Sequence, residues 1–438
     1  MTSKEWKKCK LGDIADVTKL AGFEFTKYIN YDESGEIIAL RALNLRNGIL
    51  DLSDIKRIKK SVSDSLTRSK LYINDILLTY TGNGYGDCAI IKENDKYHLA
   101  PNICKISPKI EIVDPYYLYS YIRSKQFYTQ MTNNMVGSGQ PTIPMKTIRI
   151  LEIPISSKNK QQKIAKVLSA IDDKIELNNL INNNLEQQAQ AIFKSWFVDF
   201  EPFAGTMPND WKDETLGVIS NITSGKRPIK KSQQNNKEMN IPIIGASSIM
   251  GYTNDVLFDE KILVTGRVGT HGIVQKISFP CWPSDNTLVI TSPCYEYVYQ
   301  ILKTIDYSKL NRGSTQPLIT QSDLKNIKVL LPSRDILSKF ESVAFSFSNL
   351  QNQLREENRQ LAQLRDTILP KLMNGEIDVS KVEISADKLY EPANESKLSA
   401  EPYNSSGSFA SASKNLPSEQ SSSTDKLLFI DEVINDKL

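Results

Sequence analysis

The chain has 438 residues, 40 % apolar and 24 % charged, with a formal net charge of +3. That length allows two or three domains with cores of their own, and the composition is that of an ordinary soluble globular protein. No apolar run reaches bilayer length and the charged start MTSKEWKKCK leads into no apolar signal core, so a cytoplasmic protein with no membrane partner is expected. Five scattered cysteines without a CxxC pair and only two histidines speak against a disulfide framework and a structural zinc site.

The charge is uneven. Residues 376–438 carry 6 Lys against 12 Asp and Glu, which leaves 48 Lys and Arg against 39 Asp and Glu on residues 1–375. A mildly basic body suits a polyanionic partner.

The chain opens with Trp6-x4-Leu11-Gly12-x-Ile14, and the same spelling returns as Trp211-x4-Leu216-Gly217-x-Ile219. An apolar stretch follows each opening and ends in a glycine turn, residues 36–48 in the first copy and 241–251 in the second; both predict a strand. Next come residues 75–86 and 89–91, matched by 261–272 and 273–274, each a strand, a glycine-rich turn and a second strand. Further strands are expected at 102–106 and 286–290, and short helices at 115–128 and 295–304. Gly137-Ser138-x-Gln140-Pro141-x-Ile143 then reappears 176 residues later as Gly313-Ser314-x-Gln316-Pro317-x-Ile319. Each corner is either a backbone turn into the following segment or a shared phosphate or partner contact. Two tandem copies of one unit follow from this pattern.

Each copy closes on a long helical pattern, 156–200 and 333–375. Stepping by four and three along the first gives Ile164, Leu168, Ile171, Ile175, Asn178, Asn182, Leu185, Ala189, Ile192 and Trp196. The second gives Phe340, Ala344, Phe347, Gln351, Leu354, Asn358, Leu361, Arg365 and Ile368, with Pro370 expected to end it. Apolar ends around a polar middle predict a seam between antiparallel helices, with Asn178 and Asn182 near Gln351, Leu354 and Asn358. The alternative is that each helix docks on its own β globule; a span of roughly 60 Å for 40 residues tells against it. Asp172-Asp173 and Glu356-Glu357 are expected on the solvated face. The Ser-rich acidic segment 376–438 is expected to be disordered, with a short apolar cluster at 427–430.

The fold class expected is therefore α+β: two mainly β globules with short helices, joined by two long helices forming an antiparallel coiled coil, with pseudo-two-fold internal repetition. The expected boundaries are 1–155, 156–200, 201–332, 333–375 and 376–438.

Motifs for chemistry are missing. Gly82-Asn83-Gly84-Tyr85-Gly86 lacks the dinucleotide spacing, there is no GxxxxGK[ST] loop, HExxH or GxSxG, and Asp114-Pro115-Tyr116 is only a fragment of a DNA-methylase motif. Recognition remains. Arg41, Asn44, Arg46, Asn83 and Tyr85 in the first copy, and Ser247, Ser248, Arg267 and His271 in the second, sit at strand ends and hairpin tips and suit base edges and phosphates. Lys226, Arg227, Lys230 and Lys231 form a loop with no carboxylate, a candidate phosphate contact. The helices and corners match between copies while the loops differ, which predicts two readers with two targets.

The paired W-x4-LG openings, the two GSxQP-x-I corners, the helix start Lys160-Gln-Gln-Lys-Ile-Ala165 with Asp172-Asp173-Lys174-Ile175, and the ending Leu369-Pro-Lys-Leu-Met-Asn-Gly-Glu376 resemble the specificity subunits of type I restriction-modification systems. The resemblance implies two target-recognition domains reading the halves of a bipartite site in double-stranded DNA, with the helices as a spacer. It implies partners too: two modification (methyltransferase) subunits, and restriction subunits with ATP-dependent motor and nuclease activity. S-adenosylmethionine, ATP and Mg would then belong to those partners, with no cofactor, metal or catalytic residue in this chain. Lys160, Gln161, Lys174 and Gln187 are expected on the outward helix face that meets them. The rivals are a two-armed coiled-coil adaptor that binds proteins only, and a specificity subunit of a related, non-type-I system.

Overall fold

Each repeat begins by pairing its first strand with its last. Lys7–Lys10 runs antiparallel to Glu152–Ile155, and Lys212–Thr215 to Lys328–Leu331 in the same register, so both openings are strands that lead into one-turn helices, Leu11–Ile14 and Leu216–Ile219. The computed structural model describes residues 6–46, 48–82, 84–136, 141–268, 272–310 and 318–382. Asn83, His271, most of both GSxQP corners and the Ser-rich segment beyond residue 382, including the 427–430 cluster, lie outside the described residues.

The chain divides into two units, residues up to 177 with those from 358 onward, and residues 178–357. Each unit carries a four-stranded antiparallel sheet with the same order of strands. In the first it is Ala15–Lys19, Ile103–Pro108, Ile76–Thr79, Cys88–Ile90; in the second Asn221–Ser224, Thr287–Thr291, Ile262–Gly266, Val274–Ile277. A three-stranded sheet lies beside each, Lys56–Ile58, Ile37–Leu40, Tyr97–Leu99 and Ile249–Thr253, Ile241–Ile244, Trp282–Pro283, and the last pair of each is parallel. The β-branched and Leu runs at 76–78 and 262–264 form strands because both of their faces are covered; every residue in them is fully buried.

Where one helix is expected over 115–128 there are two, Pro115–Ile122 and Lys125–Asn133. Ser124 makes the break: its hydroxyl accepts the Phe127 N–H at 3.1 Å and caps the second helix. In the second unit Tyr295–Thr304 forms as expected. One tyrosine on each helix anchors it to the closing strand, Tyr117 donating to the Pro154 carbonyl at 2.6 Å and Tyr297 to the Leu330 carbonyl at 2.5 Å.

The long helices are Lys158–Phe197 and Arg334–Met373, 40 residues each. Each unit therefore holds the start of one and the end of the other. In the second unit Asn178 donates to Glu357 at 2.8 Å, Gln351 donates to the Asn182 carbonyl at 2.9 Å, and the Phe193 ring lies 6.0 Å from Phe340. Rising numbers on one helix meet falling numbers on the other, so the pair is antiparallel with the polar middle at the contact. Asn178 finds Glu357, which therefore does not sit on a purely solvated face. Ile164, Leu168, Ile171, Leu185, Leu361 and Ile368 are buried on the expected seam. Toward the end of the first helix the buried positions become Phe193 and Phe197, with Ile192 and Trp196 only partly covered. A helix of 3.6 residues per turn drifts away from a strict seven-residue count.

Pro370 does not end the second helix. It lies inside it, where its missing N–H forgoes one hydrogen bond of the last turn. The stop comes at Gly375, with φ of +79°; a Cβ there would approach the Trp6 ring nitrogen to 2.9 Å. Residues past it are ordered by packing, which corrects a disordered segment starting at 376: Val379 and Val382 are buried in the first unit's core, and Lys163 donates to the Ser380 carbonyl at 2.6 Å.

Asp172 is the larger correction. It is a partly buried ionic node rather than a solvated residue: one carboxylate oxygen accepts from Arg123 at 2.7 Å and from the Tyr116 hydroxyl at 2.6 Å, the other from Arg365 at 2.8 Å. Arg123 and Tyr116 belong to the globule and Arg365 to the second long helix, so this carboxylate joins three segments of the first unit. The second unit uses other residues for the same task. There Lys276 bonds Glu296 at 2.5 Å and Ser348 at 2.7 Å, and Glu341 accepts the Tyr297 N–H at 2.8 Å.

Burial by itself would raise the Asp172 carboxyl, but Arg123 and Arg365, with the Tyr116 hydrogen bond, outweigh it and hold it below the usual carboxylate range. Its contribution to stability is thus complete above the unfolded value of about 4 and is lost as pH falls through the lower folded value. Asp172→Asn leaves two guanidinium groups facing an uncharged amide and should destabilise the first unit by about 3 kcal/mol, read by denaturant titration at pH 7. The deficit should shrink as pH is lowered below about 4.

Candidate nucleic-acid interface

Strand register places the second unit's candidates. Ser224 pairs with Leu288, Gly266 with Thr287, and Ile244 with Pro283. The chain leaves all three sheet positions at one end, so Lys226, Arg227, Ser247, Ser248 and Arg267 are brought to a single edge. Two contacts fix the start of the basic loop: Lys226 N–H donates to the Pro283 carbonyl at 2.9 Å, and the Trp282 indole donates to the Lys226 carbonyl at 2.7 Å. Only glycine fits at 225, since a Cβ would lie 2.2 Å from the Ser284 carbonyl oxygen. The loop's far limb, with Lys230 and Lys231, returns through Ser232, which exchanges two 2.8 Å backbone bonds with Tyr252.

Lys226, Arg227, Lys230 and Lys231 are all exposed. Arg227 meets Asp285 at 3.2 Å with most of its side chain in solvent; such a pair contributes about 0–1 kcal/mol and leaves the loop free to take a phosphate. Ser247 and Ser248 are exposed in a turn closed by Gly245 N–H on the Ser248 carbonyl at 2.8 Å. Arg267 is half-buried, and its Nε is buried with no acceptor among the described residues.

The first unit's set does not stand as one. Asn44 is fully buried: both its amide hydrogens are used, on the Asp51 and Asp54 carbonyls at 2.8 Å each, and its oxygen accepts the Arg41 N–H at 3.0 Å. It shapes the loop and has no donor left for a base, which corrects its assignment to DNA contact. Arg41 is held by the Asp54 carbonyl at 2.8 Å and carboxylate at 3.0 Å. Arg46 is exposed, 3.7 Å from Asp51. Tyr85 stacks on Tyr128 with ring centroids 5.3 Å apart, and the two hydroxyls meet at 2.7 Å. Tyr128 was not marked by the sequence, because a helix residue 43 positions away gives no local sign of meeting a hairpin tip.

The helix residues expected to face partners separate as well. Gln161 is 1 % exposed; its amide donates to the Ser156 carbonyl at 2.9 Å and the Ile112 carbonyl at 3.2 Å, and its oxygen accepts the Asp114 N–H at 2.9 Å. It ties the helix start to its own globule and is not on the outward face. Lys160 lies 5.3 Å over the Trp6 ring, Lys174 is half-buried, and Gln187 is exposed. Among the described residues no group of three or more His, Cys, Asp or Glu is placed to hold a metal, and no helix is long and apolar enough to cross a membrane.

The family described as Type I restriction modification DNA specificity domain matches residues 3–187 and 208–362, well over half the chain. The Type I restriction enzyme HindI specificity subunit of Haemophilus influenzae is 24% identical over 475 residues, covering 85% of this chain and 100% of that one. The MjaIX specificity subunit of Methanocaldococcus jannaschii is 29% identical over 317 residues, 63% of this chain and 72% of its own length. The solved S subunit of M. genitalium shares the fold, with a TM-score of 0.52 at 19% identity over 85% of this chain and 97% of that one. The chain therefore belongs to the type I restriction-modification DNA specificity family. Its role is to supply DNA sequence specificity.

Replacing Lys230 and Lys231 together by Ala should weaken binding of the full chain to every DNA sequence and lower the slope of log K against log salt by about 2. Anisotropy titrations over a salt series check this. A changed sequence preference with an unchanged slope would assign the two lysines to base reading instead.

Proposed function

We propose that the chain reads a bipartite target in double-stranded DNA, one half-site per unit, and that the two long helices keep the gap between halves constant. The observation that carries this reading is duplication of the frame without duplication of the edges: strand order and register repeat, while the loops at the sheet ends differ in length and chemistry. A single target would have favoured matching edges; two half-sites of different sequence favour unlike ones. The exposed lysines of the second unit's loop supply phosphate contacts, and the side chains beside them supply base contacts.

Within a type I complex the chain would direct modification subunits, two of them, and the restriction subunits. S-adenosylmethionine, ATP and Mg would act in those partners, and the chain itself would catalyse nothing. Gln187 and Lys174 mark the helix surface for such docking. A protein-only adaptor would have no use for a carboxylate-free basic loop pinned at both ends.

The test is base-modification sequencing of DNA from cells that express the full chain with the modification subunits of its own system. Two half-motifs with a constant gap are expected. A single continuous motif, or none, would contradict the reading.

A further inference from the structure

Backbone hydrogen bonds align the two units differently from the spelling of their sequences. End to end, the hairpins set Tyr80 beside Gly266. In the sheets, Ile103 faces Thr79 and Thr287 faces Gly266, so Thr79 and Gly266 are the equivalent residues and Tyr80 stands where Arg267 does. Four contacts agree. Tyr80 N–H donates to the Asn102 carbonyl at 3.2 Å and Arg267 N–H to the Asn286 carbonyl at 2.8 Å; Ile143 N–H donates to the Tyr80 carbonyl at 2.9 Å and Ile319 N–H to the Arg267 carbonyl at 3.0 Å. The following residues bridge alike, Thr81 with Thr142 and Val268 with Leu318.

We infer that this one position, Tyr80 in the first unit and Arg267 in the second, is the homologous specificity position through which each unit reads a base pair of its own half-site. The inference rests on the bipartite DNA reading above. The backbone is locked from both sides in both units, between a neighbouring strand and a fully buried isoleucine, Ile143 or Ile319. A side chain projected from so rigid a seat keeps its aim, which base reading requires. Packing does not dictate its identity, since the same seat accepts a phenol and a guanidinium.

Both side chains are half-buried, and the Arg267 Nε is buried with no hydrogen-bond partner among the described residues. Beside Tyr80, the exposed Lys19 holds its ammonium 5.5 Å over the ring. The matching place beside Arg267 is Ser224, by the pairing of Lys19 with Cys104 and of Ser224 with Leu288; its hydroxyl accepts from Gln321 at 3.0 Å. The first unit thus offers a phenol with a neighbouring ammonium, and the second a guanidinium with a neutral neighbour. Burial raises the Tyr80 phenol further above neutrality, so it remains a donor. Arg267 suits the O6 and N7 acceptors of guanine; Tyr80 with Lys19 suits a base pair that presents an acceptor edge.

The test uses the full chain with its modification subunits and reads modified motifs by sequencing. Tyr80→Phe keeps the ring and its packing and should relax one base position of one half-motif, with discrimination there falling about tenfold. Tyr80→Arg should impose a different preference at that same position. Arg267→Lys should act at one position of the other half, and the gap should stay constant in every variant. An unchanged motif in both Tyr80 variants would overturn the inference, as would a uniform fall in modification with the motif preserved. A wild-type chain that shows no bipartite motif would defeat the underlying DNA reading itself, and is told apart because it requires no variant.

Discussion

A carboxylate held between two guanidinium groups, Arg123 and Arg365 at 2.7 and 2.8 Å from Asp172, fixes the first recognition globule to the long helices. Around it the globule meets the helices mainly through apolar side chains, Ile164, Leu168, Ile171 and Leu369, with Gln161 bonded to the Asp114 N–H and the Ile112 carbonyl at the start of the first helix. Apolar contact is strong but tolerant of sliding by a residue or a turn, whereas a buried ion pair with fixed donors admits one register. The proposed reading of DNA from loops at a sheet edge would need that register, because a small displacement of the globule would take donors out of reach of their bases. The second unit meets the same need with Lys276, Glu296, Glu341 and Ser348, so the requirement is repeated even where its residues are not.

The helices and the frame were legible in the sequence because they rest on periodicity and on spelling. The W-x4-LG openings, the hairpins and most of the apolar seam positions declare themselves within a short window; the seam departs from its pattern at the end of the first helix, where Phe193 and Phe197 are buried in place of Ile192 and Trp196. Asn44, Gln161 and Asp172 misled for one common reason. A polar residue in a polar context reads as solvated, and only the fold reveals that distant carbonyls or guanidinium groups have closed around it. For Asn44 the acceptors lie 7 and 10 residues away, and for Asp172 the donors lie 49 and 193 residues away. The one-residue slip between the hairpins has a related origin: glycine-rich turns align by composition, while strands align by hydrogen bonds.

What the two units share and what they vary divides along the same line as frame and function. The strand order, the tyrosine anchor on the closing strand and the isoleucine beneath each sheet corner are held in common. The loops at the sheet ends diverge, down to a carboxylate-free basic loop in the second unit and a Tyr85–Tyr128 stack in the first. Membership of the DNA specificity family gives that division its meaning, since a duplicated scaffold with unlike edges is how one chain carries two sequence preferences.

The central claim is that the two preferences are physically separate. It is tested most directly by exchanging residues 206–330 for the same segment of a relative with a different target, and sequencing the modified motif. The account predicts one new half-motif, with the other half and the gap between them unchanged. A change in both halves, or in the gap, would contradict it.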